Sequence, residues 1–218
     1  MTERLSVKDR PLVPPRFLYF DLGNVLLYFD HRRACRQLGQ RSGADAQQIW
    51  DVLFASGLEL EYEAGRVSSR QMHETFLRET KARLDFDAFA LAFSDIFEVN
   101  VPMKAILAQL AFCGYRMGML SNTNELHWRL LTDGRYALMP SAFEQLVLSY
   151  EVGAVKPEPA IFQAAIERAG VAPHEIFYMD DMPGHVAAAR AAGIDAVQFT
   201  DAAILVEQMR QRGIAFNY

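Results

Sequence analysis

Cysteine is nearly absent from this chain: Cys35 and Cys113 are the only two in 218 residues. Thiols so far apart make neither a disulfide framework nor zinc-ligand spacing, so they read as two reduced, partly buried side chains. No apolar run approaches the ~20 residues needed to cross a bilayer. Met1 to Arg16 is polar, charged and proline-bearing, with no apolar stretch of the signal-peptide kind, so the expected compartment is the cytoplasm and no membrane partner is expected. An excess of basic charge is missing too. The formal net charge is -5, which argues against nucleic acid as a partner, because neutralising phosphates takes clustered Lys and Arg. A small anionic substrate stays compatible, since local field counts for more than net charge. There is no internal repeat and no low-complexity segment, and the oligomeric state is left open.

What is present is an ordinary globular composition, 51% hydrophobic and 22% charged, in a chain longer than one average domain and shorter than two. Residues 1–15 end in Val13-Pro14-Pro15 and read as a flexible lead-in. Arg16 to Phe20 follows as a short, nearly continuous apolar run that stops at Asp21, the pattern of a strand covered on both faces. Four more such runs are Tyr115–Leu120, Gln145–Ser149, Glu175–Met179 and Asp195–Phe199. Apolar residues at helical spacing separate them over Met103–Phe112, Ala160–Ala169, Val186–Ala192 and Ala203–Met209. Strands alternating with helices of this length predict an α/β fold, a doubly wound parallel sheet.

The stretch from residue 30 to 100 breaks the alternation. It has no convincing strand and reads as amphipathic helices around Arg33–Gln40, Ala46–Ser56, Ser69–Leu84 and Asp87–Phe97, with Ser68 and Ser69 as a helix start. The expected organisation is therefore an α/β core of residues 16–29 and 101–218 carrying a helical cap of residues 30–100. Such an insert would sit above the carboxyl edge of the sheet, where ligands bind in open α/β folds, and would act as a lid.

Four polar groups fall just after successive predicted strands: Asp21-Leu22-Gly23-Asn24-Val25, Ser121-Asn122-Thr123-Asn124, Lys156-Pro157 and Asp180-Asp181. The gaps between Asp21, Ser121, Lys156 and Asp180 are 100, 35 and 24 residues, yet a parallel sheet projects all four at one edge. A carboxylate, a hydroxyl beside free backbone amides, a lysine and an acidic pair are the parts phosphoryl transfer requires. A phosphate ester repels a carboxylate nucleophile. A divalent cation held by Asp21 and Asp181, in the oxygen coordination typical of magnesium, would cancel that repulsion. Lys156 adds a second positive charge, Ser121 a hydroxyl, and the amides of Leu22, Gly23 and Asn122 could hold the equatorial oxygens of the transition state. Attack by Asp21 would split one hard step into two through an aspartyl-phosphate.

Asp21-Leu-Gly-Asn-Val, Leu120-Ser-Asn-Thr, Lys156-Pro-Glu-Pro and Asp180-Asp-Met-Pro resemble the four ordered motifs of the haloacid dehalogenase-like hydrolases. The resemblance covers residues 16 to 200, and within the family it is closest to the α-glucose-1-phosphate phosphatase group and the N-terminal phosphatase domain of soluble epoxide hydrolase. It implies a magnesium-dependent phosphatase acting on a small-molecule phosphate ester, with Asp21 as nucleophile. By the same resemblance the metal ligands are Asp21, the Gly23 carbonyl and Asp181, with Asp180 beside it. Two positions depart from the family's pattern. Gly23 stands where a second aspartate usually serves as general acid and base, and His185 stands where the last motif usually has Asn or Asp. His185, Asp180 and a metal-bound water are the candidates for activating water in the second half-reaction.

Each motif also has a plainer reading. Asp180 or Asp181 could cap the helix opened by Pro183, Ser121 to Thr123 could cap the next helix, Lys156 could be a surface lysine and Asp21 a turn residue. Those readings must jointly explain four coincidences in order at one sheet edge. Tyr28, Phe29, Asp30 and His31 could touch substrate or merely pack at the start of the insert. Phe76, Phe86, Phe89, Phe93 and Phe97 read as packing of the helical insert, His127 and Trp128 as buried packing, Glu59, Glu61 and Glu63 as a solvated face, and His185 as a partly exposed first-turn residue. Competing functions are a haloacid dehalogenase, which needs no cation, and a non-catalytic phosphate-binding regulatory protein.

Losing the acid at position 23 forfeits about 10²–10⁴-fold, which a good leaving group tolerates. Sugar 1-phosphates, whose hemiacetal oxygen leaves readily, should therefore be hydrolysed faster than the matching 6-phosphates. Equal turnover, or a preference for the 6-phosphate, would count against an acid-free leaving step.

Overall fold

The computed structural model describes residues 14–136 and 141–217. The predicted lead-in of residues 1–15 lies outside the described residues except for its last two. Five parallel strands form one sheet, in the spatial order β5-β4-β1-β6-β7. They are β1 (Phe17–Phe20), β4 (Met117–Ser121), β5 (Gln145–Leu148), β6 (Ile176–Asp180) and β7 (Asp195–Gln198). The expected doubly wound sheet is thus present, and β1 lies at its centre. Beside it the strand order reverses, which makes the crevice at the carboxyl ends of β1 and β6 the natural ligand position.

The nearly unbroken apolar character of β1 follows from burial on both faces. Leu18 and Phe20 point into one core layer, with Met117, Met119, Phe177 and Met179. Phe17 and Tyr19 point into the other, with Val147, Ile176 and Tyr178. Alternate residues of a strand face opposite sides, so each layer receives every second side chain. Helices cover both: α6 (Val101–Phe112) and α11 (Ala202–Gln211) on the first, α9 (Pro159–Ala169) and α10 (Pro183–Ala191) on the second.

Between β1 and β4 the chain first makes β2 (Leu27–Phe29), then helices α1 (His31–Ser42), α2 (Ala46–Trp50), α3 (Leu58–Glu63), α4 (Ser69–Thr80) and α5 (Phe86–Ser94), and returns through β3 (Phe97–Val99). Capping residues fix where these helices start. Asp30, Asp45 and Asp85 accept first-turn amides, and Ser68 and Gln71 form a reciprocal capping box. Cys35, Leu38, Ile49, Leu53, Tyr62, Met72, Phe76, Phe89 and Phe93 give the block its own core, joined by Leu126 from α7 (Glu125–Leu131).

Three expectations need correction here. Residues 97–99 are a strand, not a helix end: β3 pairs antiparallel with β2, Leu27 opposite Val99 and Phe29 opposite Phe97. A three-residue strand whose partner lies at the far end of the insert leaves no local period to read. Phe97 accordingly packs with the α/β core rather than with the helical block. Residues 51–55 widen into a π-helical turn, closed by the Ser56 amide donating to the Asp51 carbonyl at 3.1 Å. Cys113 is exposed, whereas Cys35 is buried.

Gly118 in β4 is a constraint of space. A Cβ there would lie 2.4 Å from Tyr19 Cε1 and 2.8 Å from Phe17 Cε1. Both rings are fully buried, and the Tyr19 hydroxyl donates to the Ala165 carbonyl at 3.0 Å. Gly118→Ala should lower the free energy of unfolding by about 1–3 kcal/mol through overpacking. An unchanged urea midpoint would show that the two rings can give way.

Candidate active site

Strand register brings the separated motifs together. Phe20 pairs with Met179 on one side and Met119 on the other, so Asp180 lies level with Asp21 and Ser121 one rung beyond. Ser121 and Asp180 are the last residues of their strands, not the first residues after them. Lys156 arrives from the turn that follows α8 (Ser149–Val152). Its Nζ lies 2.7 Å from Asp21 Oδ1 and 2.7 Å from Asp180 Oδ2. Lys156 is 3% exposed, Asp21 6% and Asp180 0%. The plain reading of Lys156 as a surface residue fails.

Asn122 holds the lysine backbone in place. Its Nδ2 donates to the Lys156 carbonyl at 3.1 Å, and its Oδ1 accepts the Lys156 amide at 2.7 Å. Lys156 Nζ further donates to the Leu120 carbonyl and the Tyr178 hydroxyl, each at 3.1 Å. The Tyr178 hydroxyl in turn donates to Asp180, which also accepts the Met182 amide at 2.8 Å and lies 3.1 Å from His185 Nδ1. Asp181 stands apart from this cluster. Its Oδ2 accepts from Asn24 Nδ2 at 3.0 Å, and Asn24 adopts the left-handed conformation (φ 54°) that Asn tolerates best after Gly.

The electrostatics follow from two carboxylates sharing one ammonium away from water. Burial alone would raise Asp180, but Lys156 and His185 outweigh it and hold that carboxyl below its ordinary range. Asp21 is pushed up to about 8, by burial and by Asp180, with Lys156 opposing. Burial disfavours the charge on Lys156, yet the two carboxylates keep it protonated. Two buried carboxylates, Asp21 and Asp180, therefore share a single lysine, with Asp181 outside the cluster on Asn24. One ligand atom each from Asp21, Asp180 and His185 lie within 4.8 Å of one another. A surplus of carboxylate oxygens gathered this closely is a donor set that fits a divalent cation.

The remaining predicted residues frame the site. Ser121 is buried at the strand end, its hydroxyl donating to the Asn122 carbonyl at 3.1 Å. The Leu22 amide donates to Asp21 Oδ1 at 2.7 Å. A Cβ on Gly23 would lie 2.7 Å from Cε1 of Phe29, so the ring of Phe29 lies where a side chain at position 23 would begin.

The family model of haloacid dehalogenase-like hydrolases matches residues 17–193. The chain belongs to that family. It is 31% identical to a phosphatase of Mycobacterium tuberculosis over 202 residues, covering 81% of this chain and 83% of that one. It is 25% identical to the D-ribitol-5-phosphate phosphatase of Bacteroides thetaiotaomicron over 186 residues, 83% and 90% of the two chains. A solved structure of a haloacid dehalogenase-like enzyme from the same organism, in complex with magnesium and inorganic phosphate, superposes with a TM-score of 0.76 at 26% identity, covering 85% of this chain and 94% of that one. This haloacid dehalogenase-like hydrolase is accordingly a phosphatase, a hydrolase of phosphoric monoesters.

Several residues of the site carry no motif. Tyr178 could have been found by period, since residues two apart on a strand share a face and Tyr178 precedes Asp180 by two. Glu59 and Glu63, read as solvated, are instead turned inward on α3. Burial raises Glu63 to about 7, with the charge of Lys156 opposing, and Glu59 is raised well above its ordinary range by burial and by Glu63. The seating of α3 on the core is visible in the Tyr62 hydroxyl, which accepts the Leu126 amide at 3.1 Å and shares a hydrogen bond with Ser69 at 2.7 Å. Gly65, just beyond α3, has φ 69°, and a Cβ there would lie 2.4 Å from the Tyr150 carbonyl oxygen.

Asp21 binds its proton more tightly folded than unfolded. Its contribution to stability is complete below the ordinary carboxylate value of 3.8 and is lost as pH rises through about 8. Without added cation, Asp21→Asn should therefore raise the melting temperature at pH 8, by roughly 2–4 °C for each kcal/mol released, and change it little at pH 4. A variant no more stable than wild type at pH 8 would show that Asp21 ionises freely.

Proposed function

We propose that the chain hydrolyses a small sugar or polyol phosphate monoester, with Asp21 as the nucleophile and magnesium as the cofactor. The observation that carries this reading is the ammonium of Lys156, 2.7 Å from both Asp21 and Asp180 at the carboxyl edge of the sheet. A carboxylate oxygen of Asp21 attacks phosphorus, the bond to the leaving oxygen breaks, and an aspartyl-phosphate forms. Water then attacks that acyl phosphate, releasing inorganic phosphate and restoring Asp21. Lys156 balances negative charge gathering on the phosphoryl group, and the Ser121 hydroxyl with the amides of Leu22, Gly23 and Asn122 supplies donors for its oxygens. His185, against Asp180, is a candidate base for the incoming water.

Asp21, the Gly23 carbonyl and Asp181, with Asp180 beside them, would hold the magnesium ion, whose charge supplies Lewis-acid stabilisation and draws Asp21 into its ionised form. The surplus of acidic groups over lysine supports that assignment. The magnesium and phosphate bound in the Bacteroides neighbour support it too, as does the phosphorylated polyol named for the ribitol-5-phosphate relative. A haloacid dehalogenase of Xanthobacter autotrophicus shares the fold, with a TM-score of 0.61 at 19% identity. A carbon-attacking enzyme has no use for a surplus of acid beside its nucleophile, so the dehalogenase reading is the weaker one. Among the described residues the paired strands β2 and β3 join the helical block to the core, and we assign them as the hinge of a lid that admits substrate.

A screen of sugar 1-, 5- and 6-phosphates and polyol phosphates tests the reading. Turnover should require magnesium, vanish with chelator, and fall at least about 10³-fold in Asp21→Asn. Activity surviving the substitution would overturn the nucleophile; activity indifferent to chelator would overturn the cofactor.

A further inference from the structure

Among the described residues, Asn24 and Lys81 are the two that combine a side chain with positive φ, at 54° and 57°. Lys81 is the C-cap of α4, and the left-handed conformation is an ordinary way to end a helix. Asn24 ends no helix. A residue held in this region costs free energy and persists where its surroundings over-determine it. Here they form a tight turn between β1 and β2. The Leu22 carbonyl accepts the Leu26 and Leu27 amides, each at 2.9 Å, and the Leu27 carbonyl accepts the Asn24 amide at 2.7 Å. Asn100, buried just beyond β3, donates its Nδ2 to the Val25 carbonyl at 2.8 Å and its amide to the Leu26 carbonyl at 3.1 Å.

This turn delivers the Asn24 side chain to the end of β6, where two adjacent carboxylates keep different company. Both oxygens of Asp180 are engaged: Oδ1 accepts the Met182 amide, Oδ2 accepts Lys156 Nζ and the Tyr178 hydroxyl, and His185 Nδ1 lies 3.1 Å from each. Asp181 is in the opposite state. Among the described residues its carboxylate accepts one hydrogen bond, from Asn24 Nδ2 to Oδ2 at 3.0 Å, while its carbonyl accepts Gln198 Nε2 at 2.9 Å. A side-chain amide donates without carrying charge, so it fixes a carboxylate and leaves its negative charge uncancelled. An ammonium in the same place would compete with a cation for that charge. At the end of β6, the carboxylate oxygen still available to a cation is therefore that of Asp181.

We propose that Asn24 is the positioning residue of the metal site: it holds Asp181 outside the Lys156 pair, with one carboxylate oxygen engaged and the other free for magnesium. This rests on the magnesium assignment above and adds the residue that orients its carboxylate ligand. Asparagine meets two demands at once here, because it tolerates the left-handed conformation and carries the amide donor. Glycine at position 24 would keep the turn and lose the donor. Alanine would lose the donor and strain the turn as well.

The test measures magnesium binding by calorimetry, without substrate, in the full-length wild type, Asn24→Gly and Asn24→Ala, beside their melting temperatures in chelator. The magnesium Kd should rise about 10–100-fold in both variants, the usual cost of losing a group that orients a metal ligand. Asn24→Ala should melt below Asn24→Gly, so affinity and melting temperature part company. With p-nitrophenyl phosphate as substrate, the magnesium concentration for half-maximal turnover should shift by the same factor, and excess magnesium should make good the lost activity. If Asn24→Ala does not fold, Asn24→Gly against wild type carries the comparison. Wild-type affinity in Asn24→Gly would overturn the assignment and leave the magnesium reading standing. Weakening in Asn24→Ala alone would overturn it too, by tracing the effect to the backbone. A wild type that binds no magnesium would overturn both.

Discussion

A single buried ammonium between two carboxylates governs the architecture of the site. Lys156 touches Asp21 and Asp180 together, and no other lysine or arginine pairs with either carboxylate among the described residues. Removing it would leave two carboxylates buried without compensation, a loss of the kind that costs about 3–5 kcal/mol. Its surroundings are arranged accordingly. Asn122 clamps its backbone from both sides, the Leu120 carbonyl and Tyr178 share its third donor, and the adjacent strands bring the carboxylates level. One positive charge for two buried carboxylates leaves the cluster with a surplus of acid, a donor set that suits a divalent cation.

The second constraint is the closeness of the helical block to the sheet edge. Tyr62 reaches the first turn of α7, Gly65 passes against the Tyr150 carbonyl, and Leu126 of the core completes the packing of the block. With the block seated, Asp21, Lys156 and Asp180 are shielded from water, which strengthens every charge interaction among them. The same seating takes Glu59 and Glu63 from a helix surface into the interior.

Gly23 and Phe29 form one structural unit. The family's usual carboxyl acid is missing at position 23, and the ring of Phe29 lies against the glycine. In the helical block, burial raises the carboxyls of Glu59 and Glu63 and pushes the imidazole of His31 down to about 4.

Much of this was legible in the residues alone. Continuous apolar runs of five residues require strands buried on both faces, and their alternation with helical periods requires a parallel sheet, which carries Asp21, Ser121, Lys156 and Asp180 to one edge whatever the details of packing. Only the tertiary structure decided the rest, because it depends on partners distant in the chain. The β2–β3 ribbon joins segments from the two ends of the insert, so neither strand has a local signature. Glu59 and Glu63 alternate with apolar neighbours as a solvated helix face would, and their burial comes from the core docking against that face. Local period and composition specify which side chains can pack or titrate. Which of them lose water, and which charge they then meet, is settled when separate elements close on one another.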